Sequence, residues 1–109
     1  MILKEGVSMQ NLHISMRRAL IHADNIWKAF GRPEGVTVTS GTEGKHSAGS
    51  WHYYGLALDF RTHYFDDPHE VATELRAALP PGFDVVVETD HMHVENDAVG
   101  RRLEAIWLE

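Results

Sequence analysis

Among its 109 residues the chain has no cysteine. That excludes disulfide staples, thiolate zinc sites and cysteine nucleophiles together, and it leaves the redox compartment open. There is no basic excess either: 10 Lys and Arg stand against 16 Asp and Glu, a formal net charge of -6. A nucleic-acid binder normally carries a basic face, so no nucleic-acid partner is expected. No apolar run approaches the ~20 residues of a membrane-spanning helix, so no membrane partner is expected. The opening stretch, Met1 to Gln10, lacks a basic segment followed by an apolar core and a small-residue cleavage site. The expectation is synthesis in the cytoplasm without a signal peptide. Repeats, linkers and low-complexity tracts are absent as well. The length suits one domain, residues 1–109, with one core, expected to be a monomer.

Histidine, by contrast, is abundant, with 8 in the chain. Between the histidine clusters the secondary structure is readable. Residues 11–30 form an amphipathic helix: Leu12, Met16, Ala19, Leu20, Ala23, Ile26, Trp27 and Phe30 fall on one stripe. Asn11 is its expected N-cap, and Gly31 with Pro33 stops it. Trp27, Phe30 and Trp107 read as core residues at helical spacing. Residues 35–41 alternate as a strand, and 41–50 are a loop with three glycines and two serines. Residues 56–62 are a second strand, with Leu56, Leu58 and Phe60 on one face and Ala57, Asp59 and Arg61 on the other. Asp67 as N-cap and Pro68 in the first turn open a helix over 67–79, with Val71, Leu75 and Ala78 or Leu79 buried. Two strands, 83–88 and 91–95, are joined by a tight turn at Thr89–Asp90. A closing helix, 98–108, is weakened by Gly100. The order predicts an α+β fold: a small, mainly antiparallel sheet with helices packed on one face.

Without thiolates, zinc takes imidazole and carboxylate ligands, and a catalytic site uses three of them and keeps a position for water. His52, Asp59 and one histidine of the His91–His93 pair are the candidates. Asp59 lies mid-strand beside small Ala57, and Gly55 is close by, so there is room for an ion. His91, His93 and Glu95 share one face of the last strand. Neighbouring strands can therefore aim Asp59 and His93 at one point, with His52 closing the triangle. Taken singly, each is an ordinary polar residue; the combination is what reads as a metal site. Two carboxylates, Asp90 and Glu88, stand near the last ligand and could take a proton from the metal's water. Asp90, three residues before His93, is the better placed.

The pattern Ser50-x-His52-x-x-Gly55-x-Ala57-x-Asp59, followed by Asp90-x-x-His93, resembles the zinc D-Ala-D-Ala carboxypeptidases and the phage endolysin L-Ala-D-Glu peptidases. The hedgehog signalling domain shares their fold. The resemblance runs over about residues 36 to 95. It implies a hedgehog-type fold, one zinc ion per chain held by His52, Asp59 and His93, a catalytic carboxylate at Asp90, and peptidoglycan stem peptides as substrate. It implies action on the cell wall after release, in phage or prophage lysis, or else a cytoplasmic D-Ala-D-Ala dipeptidase. A zinc-binding module without catalysis is the other reading of the same residues. Many members carry an arginine after the first strand that holds a substrate carboxylate or the scissile carbonyl. Here that segment, Ser40 to His46, has none. Lys45, His46 and Arg61 are the candidates to stand in, which leans the reading toward an endopeptidase.

Several roles stay open. His91 either steadies the oxyanion or forms the cleft wall, and Lys45 is a second candidate for the oxyanion. His46 contacts substrate or is an ordinary loop residue. Ser50 hydrogen-bonds substrate or caps its turn. Trp51, Tyr53 and Tyr54 line the cleft or pack on the first helix. His13, His22, His63 and His69 are assigned to surface or helix positions.

Overall fold

Alternating and helical patterning resolve, among the described residues, into five strands and three helices. In order these are β1 (Ile2–Leu3), α1 (Ile14–Ala29), β2 (Thr37–Ser40), β3 (Ala57–Arg61), α2 (Pro68–Ala78), β4 (Phe83–Val87), β5 (His91–Asn96) and α3 (Asp97–Leu108). A 3-10 turn, Trp51–Tyr54, precedes β3. The computed structural model describes residues 1–43 and 50–108, and the side chains of these apart from Tyr53, Trp107 and Leu108. Lys45, His46 and the side chains of Tyr53 and Trp107 thus lie outside the described residues.

The strands form one sheet in the order β1-β2-β3-β5-β4. The fold is α+β, but the sheet is mixed and not the mainly antiparallel one expected, because β1 pairs with β2 in parallel, Ile2 opposite Thr37 and Leu3 opposite Val38. Two residues are too short a run to carry a readable period, so the sequence hides this strand. At the centre, β3 and β5 pair antiparallel through five positions, including Asp59 opposite His93 and Ala57 opposite Glu95. The register between β2 and β3 slips at Thr39, where Val38 faces Phe60 but Ser40 faces Asp59. Such a bulge re-aims nearby side chains; here it lies beside Asp59, and Thr39 Oγ1 donates to the Asp59 carbonyl at 3.3 Å.

α1 and α2 cover one face. Met16, Ala19, Ala23 and Trp27 of α1 and Val71, Ala72 and Leu75 of α2 join Val38, Leu58, Phe60, Val85, Met92 and Val94 in one buried cluster. Leu79 is buried with them, while Ala78 is exposed. Trp27 lies edge-on to Phe60, ring centroids 5.6 Å apart, and its Nε1–H donates to the Arg61 carbonyl at 3.1 Å. That bond ties α1 to the end of β3. Phe30 packs on the cluster from its edge.

Asp67 caps α2 through the His69 and Glu70 amides, with Pro68 in the first turn, as its sequence implies. α1 differs. Its N-cap is His13, whose ring accepts the Ser15 amide, and Asn11 instead adopts a left-handed φ of 61° two residues earlier. An Asn side chain serves either role. Asn96 caps α3 by accepting the Val99 amide, and its Nδ2 donates to Ser15 Oγ at 2.8 Å. Gly100 does not merely weaken α3. A Cβ there would lie 2.8 Å from Cε2 of Trp51, so the glycine is what lets the indole seat on the helix. Trp51 therefore packs on α3, and its Nε1–H donates to Asp97 at 3.4 Å.

Candidate metal centre

The opposite face of the sheet carries the polar residues. His52 enters it from the 3-10 turn. Ser50 caps that turn by accepting the His52 amide at 3.3 Å, which is the capping role among its two open ones. Gly55 ends the turn with a φ of 70°, and a Cβ there would clash with the Asn11 carbonyl. The glycine is thus required by backbone shape and not, as its spacing suggests, by space beside an ion.

His52 is buried, its side chain 6% exposed. Its Nδ1–H donates to the Gly41 carbonyl at 2.9 Å, and its Nε2 lies 3.5 Å from Asp59 Oδ2. His93 approaches the other carboxylate oxygen, Nδ1 to Asp59 Oδ1 at 2.8 Å, and its Nε2 meets Glu95 Oε1 at 2.8 Å. The ligand atoms of His52, Asp59 and His93 all lie within 4.8 Å of one another. A tetrahedral zinc with bonds near 2.05 Å sets its ligand atoms about 3.3 Å apart, so the set would draw inward to close on one ion. The group could hold a metal ion. The donor chemistry also fits, since two imidazoles and a carboxylate suit zinc. Each imidazole is already turned by a partner on its far nitrogen, as metal-bound histidines are.

The charges are coupled. Burial alone would raise the Asp59 carboxyl, but hydrogen bonds from His52 and His93 outweigh it and hold the group well below the usual carboxylate range. His93 is pushed up to about 8, mainly by its hydrogen bond to Asp59 and further by Glu95, against the opposing effect of burial.

Asp59 also lines an adjoining open cleft of about 330 Å³, together with Lys4, Thr39, Ser40, Arg61, His63, Asp90 and His91. Asp90, Arg61 and His91 therefore do reach the site's neighbourhood. Asp90 itself is 77% exposed and accepts a 2.8 Å hydrogen bond from His91 Nδ1, which lowers its carboxyl below the ordinary value. Glu88 is exposed on β4's side of the hairpin, outside the cleft lining, and pairs through its backbone with the His91 carbonyl. The expected alternative base is thus not brought to the centre. Lys45 and His46 lie outside the described residues.

Four contributors escape the sequence reading. Glu95 was legible as a neighbour of His93 on the same strand face, two residues on, but its contact was not. Lys4 reaches the cleft only because β1 joins the sheet. His63, assigned to the surface, is exposed but lines the cleft rim. Glu43 supports the wall from behind, accepting the Ser8 and Gly41 amides and the Ser40 hydroxyl. No protein-family model matches this chain, and no curated protein and no solved structure matches it. Among the described residues no helix is long and apolar enough to cross a membrane.

Proposed function

We propose that this chain is a zinc metallopeptidase that cuts peptide bonds in bacterial peptidoglycan stem peptides. The observation that carries the reading is the convergence of His52, Asp59 and His93 beside an open cleft that also holds a carboxylate and an imidazole. A zinc ion bound by those three residues supplies a Lewis acid and a water acidified to a pKa of about 7. Asp90 takes the water's proton and passes it to the leaving amine. His91, hydrogen-bonded to Asp90, is oriented to steady negative charge building on the scissile carbonyl. Arg61 and Lys4, on the cleft wall, offer positive charge to a substrate carboxylate, in the place of the arginine missing from the Ser40–His46 segment.

A non-catalytic zinc module is the second reading, favoured by one feature: the Asp90 carboxylate is solvent-exposed and its pKa is lowered, which makes it a weaker base. Purified stem peptides and cell-wall sacculi separate the two, with products identified by mass spectrometry. The enzyme reading expects hydrolysis by the wild type, a loss of about 10²–10⁴-fold in Asp90→Ala at unchanged zinc content, and none after EDTA. Equal behaviour of all three samples, with zinc bound in the first two, overturns it. Product masses name the bond cut, and free D-Ala-D-Ala as the preferred substrate would mark a dipeptidase.

A further inference from the structure

Glu95 has no part in the scheme above, yet it is half-buried, 19% exposed, and its carboxylate meets the last ligand of the metal centre. It follows His93 by two residues on β5, so both side chains leave the same face of the sheet. Its cross-strand neighbours are Ala57 on β3, which is fully buried, and Asp84 on β4. The hydrogen bond runs from His93 Nε2 to Glu95 Oε1 at 2.8 Å, while Nδ1 of the same ring faces Asp59.

The two nitrogens of one imidazole point in divergent directions, so they cannot both serve one ion. Asp59 and, beyond it, His52 lie on the Nδ1 side. Glu95 lies on the other. We propose that Glu95 is a positioning residue of the metal centre: it accepts the His93 Nε2–H and holds the ring so that Nδ1 is presented to the ion. The Gly41 carbonyl does the complementary service for His52, taking Nδ1–H and turning Nε2 inward. The centre then uses unlike nitrogens of its two histidines, one steadied by a backbone carbonyl and one by a carboxylate. A carboxylate partner also raises the basicity of the imidazole it serves, and losing such a partner weakens metal binding roughly 10–100-fold.

This inference rests on the metal-site reading, and the experiment keeps the two apart. Zinc affinity is measured by chelator competition on the full chain for wild type, His52→Ala, Glu95→Ala and Glu95→Gln. Loss of tight binding in His52→Ala establishes the site. Glu95→Ala is then expected to bind zinc about 10–100-fold more weakly, and Glu95→Gln, whose amide oxygen accepts the same hydrogen bond, to recover most of that loss. The cobalt-substituted forms of both Glu95 variants are expected to keep the wild-type absorption pattern, because no ligand has been removed. Wild-type affinity in a folded Glu95→Ala overturns the proposal, and an altered cobalt spectrum in Glu95→Gln makes Glu95 a ligand and overturns it too. If Glu95→Ala does not fold, nitrogen-15 NMR of the zinc-loaded wild type decides: a proton on Nε2 of His93 is expected, and a proton on Nδ1 refutes the assignment. A wild type that binds no zinc removes the metal reading and this inference with it.

Discussion

The two faces of the central sheet are made by the same strands, yet one is a dry core and the other a polar, chemically loaded surface. On β3, Leu58 and Phe60 are fully buried under α1 and α2 while Asp59 and Arg61 are half-buried on the reverse. On β5, Met92 and Val94 face the helices, and His91, His93 and Glu95 lie half-buried on the reverse, with His91 lining the cleft. Successive side chains leave a strand on opposite sides, so the two roles interleave residue by residue. The core side gives the strands a fixed register, since a slip of one residue would turn every apolar side chain outward. That same register sets Asp59 opposite His93. The lesson is that the core face does the positioning for the site face.

The sharpest way to test that division is to damage each face separately. Phe60→Ala removes a fully buried ring from its edge-on contact with Trp27 and is expected to lose about 3–5 kcal/mol of stability, measured by denaturant unfolding of the metal-free chain. Its still-folded fraction keeps zinc affinity near that of the wild type. Asp59→Ala reverses the pattern: zinc affinity drops by at least about 100-fold, with a smaller loss of stability than Phe60→Ala causes. If Asp59→Ala unfolds the chain as severely as Phe60→Ala, the faces are not separable and the comparison fails.

The smallest effect expected is on pH dependence, and its sign depends on zinc. The His93 pKa lies above its unfolded value of ~6.5, at about 8. The stability this provides to the metal-free chain is fully present below pH ~6.5 and lost as the pH rises through about 8. The ring is 24% exposed, so solvent partly screens it, and a loss of ~1 kcal/mol between pH 6 and 9 is expected in metal-free thermal or denaturant unfolding. Zinc reverses the trend, because the metal needs the deprotonated ring and binds more tightly as the proton leaves. A zinc-loaded chain whose stability also falls over that interval would place His93 outside the metal centre.

How much of this was legible before folding differs by element. α2 was readable because its signals are local: an Asp cap, a proline in the first turn and an apolar stripe within eleven residues. β5 was readable because strict alternation over six residues has one interpretation. The start of α1 was misread because Asn11 and His13 can each end a turn, and the choice lies in the His13 amide's bond to the Gly55 carbonyl, more than forty residues away. β1 was invisible because its two residues carry no period and their partners, Thr37 and Val38, lie far along the chain. Trp51 could not be assigned a neighbour, because the notch that receives it, Gly100, belongs to the last helix.

For the site, residue types and spacing were enough to single out His52, Asp59 and His93, since metal chemistry restricts the donors and strand alternation restricts their faces. Alternation likewise put His91 and Glu95 beside them. Tertiary structure alone decided the roles of the rest: that Glu95 grips His93, that Gly41 turns His52, that Glu88 stays outside the cleft and that Lys4 enters its rim. Periodicity is a property of a few consecutive residues and survives in the sequence. Which nitrogen of an imidazole faces an ion depends on partners brought together by strand pairing and loop packing, and those contacts exist only once the chain has folded.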